Sequence, residues 1–509
     1  MKLTNTTASK SEQKFMELSQ KITSYNEAIG LIVWDLRTGA PKRGVEQRSE
    51  VIGTLSSEVF KLSTSKEMKE CLDSLSDNSL HPELSMTTRK AVEESRKEFE
   101  RNEKIPEAEY KEYIILQSKA ENVWEDAKTK SDFSILQPYL QKLVDFKKKF
   151  VGYWGYEKHP YNTLLDLYEP GVTVDTIDHV FGQLREAIVP LLQDVVDAKD
   201  KPETSFLFQN FPASKQKDFS LHVLKQMGYD FNAGRLDETA HPFAIGLNPG
   251  DVRVTTKYDE KDFRTAVFGT IHEGGHALYE QNIDASLIGT PLCTGTSMGI
   301  HESQSLFWEN FVGRNEYFWK NNYETFKSYA NGQFDQVSVD DYYRAINVAG
   351  PSLIRIEADE MTYPLHIIIR YEIEKGLFSD QLQVKDLPEI WNEKMQEYLG
   401  IQPKNDAEGV LQDIHWSGGD FGYFPSYALG YIYAAQLKEA MVKDIPDFDG
   451  KLAEGNMLPI KEWLTEKVHK HGKTKQPIEI IKDVTGEGLN AAHLIKYLNT
   501  KYRDVYRIG

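Results

Sequence analysis

The stretch FGTIHEGGHAL, residues 268–278, determines how this 509-residue sequence is interpreted. It contains the pattern His-Glu-x-x-His, in which His272 and His276 stand four positions apart. Positions i and i+4 share one face of a helix, so both imidazoles can reach a single Zn²⁺. Glu273 stands beside the metal in such an arrangement and can take a proton from its bound water. The apolar residues around the motif favour a buried helix.

A catalytic zinc site needs a third protein ligand and an open fourth position. The candidate is Glu302, which lies 26 residues after His276 in the string HESQ, residues 301–304. This separation leaves room for a loop and a returning helix. Many zinc peptidases carry a further acid four residues after this ligand, but here that position is Leu306. The carboxylate that orients a ligand imidazole must therefore come from elsewhere, and Glu309 is expected to take no part in metal binding.

Two other interpretations of the metal motif remain open. A di-iron bundle uses Glu-x-x-His on two helices, and Glu238 with His241 has the same spacing as Glu273 with His276. However, Pro242 follows His241 and disfavours a helix there. The second alternative is a structural metal in a non-catalytic interaction protein, against which the available Glu273 and the open coordination position argue.

Helical periodicity dominates the rest of the chain. Helices are predicted over residues 11–35, 106–127, 137–154, 175–198, 213–227, 261–281, 302–313, 340–376, 386–399 and 427–443. Pro351 disfavours one continuous helix through the segment 340–376. The clearest strand pattern is 251–256, with 243–247 as its partner across the turn at Pro249 and Gly250. The sequence predicts a mainly α-helical single domain, 1–509, with a very small β-sheet.

Two glycines of the motif, Gly274 and Gly275, lie inside the predicted helix. Each costs roughly 1 kcal/mol of helix stability relative to alanine, so a structural reason is required. Either they leave room for a substrate backbone at a cleft, or they allow another helix to approach closely. The sequence does not decide between these two explanations.

Composition excludes several classes of protein. Lys and Arg number 60 against 78 Asp and Glu, which gives a net charge of −18 and no general attraction to nucleic acid or anionic membranes. No apolar stretch approaches the roughly 20 residues that span a bilayer, and the N-terminus shows no secretion signal. Two cysteines, Cys71 and Cys293, permit at most one disulfide. These features predict a cytoplasmic protein without nucleic-acid or membrane partners.

Further motifs accompany the metal pattern along the chain. They are His241-Pro242-Phe243, Asp251-x-Arg253-x-Thr255, His301-Glu302-Ser303-Gln304, Ile354-Arg355-x-x-Ala358-Asp359 and Gly409-x-x-Gln412-Asp413-x-His415-Trp416. Together with His272-Glu273-x-x-His276 they resemble, in order, the motifs HPF, DXRXT, HEXXH, HESQ, IRXXAD and GXXQDXHW of the carboxypeptidase Taq family of zinc metallocarboxypeptidases. HEXXH alone is a general signal of zinc peptidases, whereas the ordered set over 241–416 is highly specific.

The resemblance implies a mainly α-helical fold similar to neurolysin, with a deep substrate groove between two helical lobes, and a homodimer. It also implies removal of single C-terminal amino acids from peptides with broad specificity, in a groove closed at one end. His272, His276 and Glu302 would bind one Zn²⁺ per chain, which Co²⁺ can replace. Glu273 would act as the general base and later as the proton donor. An endopeptidase with the same metal site remains the alternative activity.

The resemblance also implies a set of substrate-binding residues. Arg355 is chosen to receive the terminal carboxylate of the peptide, with Arg253 in reserve, because a guanidinium matches a carboxylate with two parallel hydrogen bonds. The alternative role of Arg355 is an ion pair with Glu357 or Asp359. Residues expected to line the substrate site are His241, Pro242, Phe243, Asp251, Arg253, Thr255, Gln412 and Asp413. Tyr423 and His415 are two open candidates for the donor that stabilises the oxyanion.

Overall fold

The computed structural model describes residues 7–76 and 84–508. The first ten α-helices of this part are α1 (Thr7–Thr38), α2 (Val45–Ser63), α3 (Lys66–Leu75), α4 (Met86–Glu103), α5 (Glu107–Lys130), α6 (Phe133–Trp154), α7 (Tyr161–Leu165), α8 (Val174–Asp197), α9 (Ala213–Met227) and α10 (Arg264–Gln281). They are followed by α11 (Met298–Leu306), α12 (Glu316–Tyr329), α13 (Val339–Ile346), α14 (Tyr363–Phe378), α15 (Leu387–Leu399), α16 (Pro425–Asp444), α17 (Phe448–Ala453), α18 (Leu458–Lys467), α19 (Pro477–Thr485) and α20 (Ala492–Val505). The fold is mainly α, as the sequence predicted.

A small three-stranded sheet interrupts the helices. Its strands are β1 (Leu236–Glu238), β2 (Ala244–Asn248) and β3 (Asp251–Thr256), in the order β1-β3-β2. The central strand β3 pairs antiparallel with β2 and parallel with β1. The predicted β2–β3 hairpin is confirmed, whereas β1 was missed because three residues are too few to show an alternating pattern. Strand β2 lies at the edge of the sheet, so one of its sides has no strand partner among the described residues.

The predicted helices are confirmed with shifted boundaries, and two segments differ in an informative way. The segment 302–313 begins earlier, as α11, and continues after Leu306 as a π-helix, Phe307–Gly313. The segment 340–376 divides into α13 and α14 around Pro351, as expected. The sequence analysis missed α2, α3, α4, α7, α12 and α17 to α20. Helix α2 has no buried residue, so it lacks the apolar stripe on which such a prediction depends.

Helix α10, which carries His-Glu-x-x-His, packs between α9 and α11. A Cβ at Gly274 would lie 2.7 Å from Leu224 Cδ2 in α9. A Cβ at Gly275 would lie 2.6 Å from the Gln304 carbonyl oxygen and 2.7 Å from Ser305 Cα in α11. Both distances are too short for real Cβ contacts; the backbone atoms at Gly275 cannot move aside, so Gly275 serves close helix packing, whereas Gly274 adjoins the movable ends of side chains. The alternative, room for a substrate backbone, has no support from this geometry.

Helix α11 is held from its start and from its far side. Buried Glu169 accepts hydrogen bonds there from Ser297 Oγ at 3.0 Å and from the Gly299 N–H at 2.8 Å. Burial raises the pKa of Glu169 to about 7 despite these donors. On the far side Gly430 of α16 lets the helices approach, since a Cβ there would lie 2.8 Å from Glu302 Cβ. Helix α11 therefore has little freedom to shift.

Two structural observations bear on the composition. Cys71 and Cys293 are both free cysteines. The two thiols are not joined to each other, and the sequence likewise has too few cysteines for a fold held together by disulfides. Among the residues that the structure describes, no helix has the length and apolar character needed to cross a membrane.

The packing at Gly275 yields a stability prediction. Gly275→Ala should lower the free energy of unfolding by about 1–3 kcal/mol, because the added methyl group meets backbone atoms that cannot move aside. Gly269→Ala is the matched control on the same helix, where an added Cβ has nothing within 4 Å. That change should stabilise the protein by up to about 1 kcal/mol through helix propensity. Thermal unfolding of both variants measures the difference, and equal midpoints would refute the packing argument.

Candidate active site

Three side chains converge where α10 faces α11. The ligand atoms of His272, His276 and Glu302 all lie within 4.8 Å of one another. His272 Nε2 is 3.9 Å from Glu302 Oε1, and His276 Nε2 is 3.6 Å from Glu302 Oε2. Two imidazole nitrogens and one carboxylate fit a divalent ion such as Zn²⁺ and leave a fourth position for water or substrate. The structure thus brings together the three residues predicted as metal ligands.

Glu273 lies next to this group and is held by the sheet. Its carboxylate accepts a hydrogen bond from the backbone N–H of Ala244, the first residue of β2. Burial raises the pKa of Glu273 to about 7; the charge of Glu302 acts in the same direction and the charge of His272 against it. A carboxyl group with a pKa near neutrality is suited to accept a proton and later release it.

Glu309 orients the first histidine of the motif. Glu309 Oε2 lies 2.9 Å from His272 Nδ1, and its other oxygen accepts a hydrogen bond from Arg314 at 3.0 Å. Burial alone acts to raise the pKa of Glu309, but the hydrogen bond from His272 and the charge of Arg314 hold it down to about 2. Glu309 is not in the group of three ligand side chains, and the expectation that it does not bind the metal stays a prediction. Its carboxylate instead orients a ligand imidazole, a role that sequence reasoning did not assign to any residue.

The second histidine is supported by two residues instead of one. His276 Nδ1 lies 2.7 Å from His301 Nδ1, and His301 Nε2 lies 2.8 Å from Glu280 Oε1. Metal binding requires an unprotonated Nε2 on His276, so its Nδ1–H donates to His301, which in turn donates its Nε2–H to Glu280. The carboxylate at the end of this chain therefore selects the tautomer that leaves Nε2 of His276 free for a metal.

Arg355 lies in a buried cluster of charged side chains. It donates from Nη2 to Asp413 Oδ1 at 2.9 Å, from Nε to Asp413 Oδ2 at 3.1 Å, and from Nη1 to the Tyr363 hydroxyl at 2.8 Å. Arg370 donates to the same Asp413 carboxylate at 2.6 Å. The expected alternative partners of Arg355, Glu357 and Asp359, form no ion pair with it; its partner comes from the GXXQDXHW string.

Arg355, Arg370 and Asp413 together carry one positive charge in excess, although the buried carboxyl of Glu374, whose pKa burial raises, also acts on Arg370. Arg355 and Arg370 are both buried and share one carboxylate, and together they hold the pKa of Asp413 well below its usual range against the effect of burial. An arginine has five N–H donors, and the contacts described above occupy three of those of Arg355. The remaining two are free to meet a further acceptor. Gln412 fixes the segment, because its Oε1 accepts the Arg355 backbone N–H at 2.8 Å.

The two candidate oxyanion donors lie side by side. The rings of His415 and Tyr423 stack with centroids 5.7 Å apart, and the Tyr427 hydroxyl donates to that of Tyr423 at 3.3 Å. Burial lowers the pKa of His415 to about 4, which keeps its imidazole neutral. Within the described part of the chain, His415 Nδ1 is buried and has no hydrogen-bond partner. The charges of Glu302 and Arg355 both reach the Tyr423 hydroxyl, so this pair lies near the metal group.

The remaining predicted substrate residues shape the β2–β3 hairpin. Arg253 makes a two-pronged ion pair with Asp251 at 2.8 and 2.7 Å, and its guanidinium lies over the Trp34 ring at 4.5 Å. The Phe243 N–H donates to Thr255 Oγ1 at 2.8 Å, and that hydroxyl donates back to the Phe243 carbonyl at 2.9 Å. These contacts stabilise the hairpin, and the structure does not bring Arg253 into the metal group.

The di-iron alternative has no structural support. Glu238 ends strand β1 rather than lying on a helix. His241 and Pro242 follow in the loop before β2, and His241 is exposed to solvent. His241 therefore does not join Glu273 and His276 in a four-helix arrangement.

Comparison with known proteins agrees with this geometry. The profile of the carboxypeptidase Taq (M32) metallopeptidase family matches residues 14–502. The chain belongs to this family. Carboxypeptidase 1 of Bacillus subtilis is 60% identical over 495 residues, which cover 97% of this chain and 98% of that protein. Thermostable carboxypeptidase 1 of Thermus thermophilus is 38% identical over 501 residues, covering 96% and 97% of the two chains.

Solved structures of the family have the same fold. The crystal structure of the M32 carboxypeptidase from Deinococcus radiodurans R1 superposes with a TM-score of 0.95 at 34% identity, covering 98% of this chain and all of that chain. The Pyrococcus furiosus carboxypeptidase gives a TM-score of 0.93 at 35% identity, covering 97% and 99%. Membership of this metallopeptidase family makes the protein a carboxypeptidase, a peptide hydrolase that uses a metal ion.

The support of His276 yields a prediction about metal affinity. His301→Leu removes the acceptor for His276 Nδ1–H and should weaken zinc binding about 10- to 100-fold. His301→Asn should restore much of the loss, because its side-chain amide oxygen can reach the place of the lost nitrogen. Competition with a chromophoric chelator measures the affinity, and the visible spectrum of the Co²⁺ form reports the ligand geometry.

A buried histidine outside the site provides the control. His469 contacts Gln304 of α11 at 2.9 Å and is fully buried. His469→Asn should change thermal stability but not zinc affinity. Normal zinc affinity in His301→Leu would show that His276 needs no such support.

Proposed function

We propose that this carboxypeptidase is a zinc enzyme that hydrolyses the C-terminal peptide bond of peptides and releases single amino acids with broad specificity. The observation that carries the proposal is the meeting of His272, His276 and Glu302 beside the buried carboxyl of Glu273. One Zn²⁺ per chain would occupy the three ligands, and Co²⁺ could replace it. When bound, the metal polarises the scissile carbonyl and lowers the pKa of a water molecule.

Glu273 performs the proton transfers in this proposal. Its carboxylate takes a proton from the attacking water and later delivers it to the nitrogen of the departing amino acid. The hydrogen bond from Ala244 fixes the orientation of the carboxyl group. Burial keeps its pKa near neutrality, which suits both halves of the task.

A second donor stabilises the negative oxygen that forms on the scissile carbonyl. Tyr423 and His415 are the candidates, and both present a neutral donor group from the loop before α16. A neutral donor in a buried site can stabilise a developing negative charge without a competing proton transfer in the ground state. The orphaned nitrogen of His415 favours a bound polar group in this region.

The terminal carboxylate of the peptide is assigned to Arg355. Its two remaining N–H groups can donate to a carboxylate, and the excess positive charge that it shares with Arg370 and Asp413 favours an anion. An internal peptide carbonyl offers neither the charge nor the second oxygen. Arg253 is a weaker candidate, because its Nε and Nη2 already donate to the carboxylate of Asp251. His241, Pro242, Phe243, Thr255 and Gln412 would shape the closed end of the substrate groove.

The proposal also covers the domain organisation, the oligomeric state and the cellular location of the enzyme. We infer that residues 1–509 form one catalytic domain with its groove between two helical lobes, that the enzyme works as a homodimer, and that it acts on peptides in the cytoplasm. Support comes from relatives that match along 97% and 98% of their own lengths. The net charge of −18 supports the absence of nucleic-acid partners.

Glu273→Gln should abolish turnover while the protein keeps its metal. The substitution preserves the volume of the side chain but removes the base, and the three metal ligands remain. Peptide hydrolysis should fall by at least about 100-fold, the contribution expected of a general base. Metal content after dialysis and the thermal midpoint should stay near the wild-type values. A variant that keeps most of its turnover would remove Glu273 from the mechanism.

The test of the carboxypeptidase assignment combines two enzymes with two substrates. Arg355→Ala should lower kcat/KM on free-acid peptides. The loss should correspond to about 2–4 kcal/mol of transition-state stabilisation, the usual cost of breaking a buried charged pair. C-terminally amidated peptides should be poor substrates of the wild type and should lose little more in the variant. Mass spectrometry of the products, with and without a chelator, reads single-residue release and metal dependence together.

Two outcomes would contradict this assignment. Equal losses on acid and amide substrates would show that Arg355 supports the fold through Asp413 and does not read the carboxylate. Efficient wild-type cleavage of amidated peptides at internal bonds would identify an endopeptidase and overturn the proposed chain-end specificity.

A further inference from the structure

A cavity of about 570 Å³ opens beside the metal site. Its walls come from α1, α2, α3 and α4 on one side, and from strand β2 and residues 288–294 on the other. Glu280 and His301, which support His276, form part of the wall. Neither Arg355 nor the segment 409–427 lines it. If the peptide end is held at Arg355, as the proposed function states, the upstream residues have this cavity to enter.

The wall formed by β2 suits an extended peptide. Strand β2 pairs with β3 on one side only, and residues 244–248 line the cavity with the other side. The Ala244 N–H on that side contacts Glu273, so the open edge begins at the catalytic base. An exposed strand edge offers backbone donors and acceptors to a peptide of any sequence. The edge therefore supplies binding without supplying selectivity.

The charged side chains that line the cavity, among the residues that the structure describes, are carboxylates. They are Glu27, Glu98 and Glu280, and no described lysine or arginine lines the cavity. Glu280 is engaged by His301, and Glu27 accepts a hydrogen bond from Asn248 at 2.9 Å. In the described ranges, neither Glu27 nor Glu98 has an ion pair with a basic residue. Their charges are thus available to an occupant of the cavity.

We propose that this cavity holds the part of the peptide upstream of the released residue and selects for lysine or arginine side chains there. The inference rests on the proposed function and adds a substrate class to it. Each cationic side chain near Glu27 or Glu98 gains an attraction, and each acidic one meets repulsion. Because the wall is partly open to water, each pair contributes modestly and is screened by salt.

The experiment uses N-acetylated hexapeptides that share the same last two residues and a free C-terminal carboxylate. Acetylation removes the terminal ammonium, so that only side-chain charge varies between Lys, Gln and Glu at the upstream positions. The wild-type enzyme should show kcat/KM about five- to twenty-fold higher for the Lys peptide than for the Glu peptide at low salt, and the ratio should shrink at high salt.

The double variant Glu27→Gln with Glu98→Gln should bring the three peptides to nearly equal kcat/KM. The matched control is Glu17→Gln with Glu100→Gln, which changes the same two helices and the same net charge outside the cavity wall. That control should keep the wild-type preference. All four residues lie outside the metal site, so both double variants should cleave the Gln peptide at the wild-type rate.

The outcomes separate this inference from the function on which it rests. Equal cleavage of Lys and Glu peptides by the wild type would overturn the inference and leave the carboxypeptidase intact. A preference that survives in the cavity variant, or is lost equally in the control, would also overturn it by placing the selectivity elsewhere. Failure to hydrolyse any of the free-acid peptides would instead overturn the proposed function.

Discussion

The site depends on one constraint, the close approach of α10 and α11 at Gly275. A side chain at this position would collide with backbone atoms of Gln304 and Ser305, so the distance between the helices is set by the absence of a Cβ. That distance places two histidines of α10 and Glu302 of α11 around one point. The roughly 1 kcal/mol that a glycine costs a helix is offset by this geometry.

The two helices also carry the residues that orient the metal ligands, and they do so in antiparallel order. His276 lies later in α10 and meets His301 early in α11, whereas His272 lies earlier and meets Glu309 in the π-helix that follows. Each ligand imidazole is linked by hydrogen bonds to a carboxylate. His272 contacts Glu309 directly, whereas His276 reaches Glu280 through His301. Both chains favour the tautomer in which the metal-facing nitrogen is unprotonated.

The sequence contained most of the metal site but not its supports. The motif spacing placed His272, Glu273 and His276 on one helix, and the order of later motifs pointed to Glu302. One turn after Glu302 the sequence offers only Leu306, whereas the orienting acid lies two turns on. Helix spacing over 302–313 places Glu309 on the same face as Glu302, but only the packed fold shows that its carboxylate meets His272.

Other failures have a similar cause, since they concern contacts between distant segments. The partner of Arg355 is Asp413, and local sequence offered the nearer Glu357 and Asp359 instead. Helix α2 escaped detection because none of its residues is buried. In contrast, the β2–β3 hairpin and the break at Pro351 follow from local chemistry, and both were found. Local rules predict elements with a clear apolar pattern or a turn signal, whereas weakly patterned helices and ion pairs need the packed fold.

The distribution of charge around the metal group gives the proposed reaction a direction. A positive excess at Arg355, Arg370 and Asp413 lies where the chain end would bind, and the cavity on the Glu280 side is negative. A peptide with a free carboxylate is favoured in one orientation only, because reversing it removes the carboxylate from the arginines. Buried ion pairs fix the positive end, whereas the negative end includes the exposed carboxylates of Glu27 and Glu98, so salt screens the negative end more than the positive one.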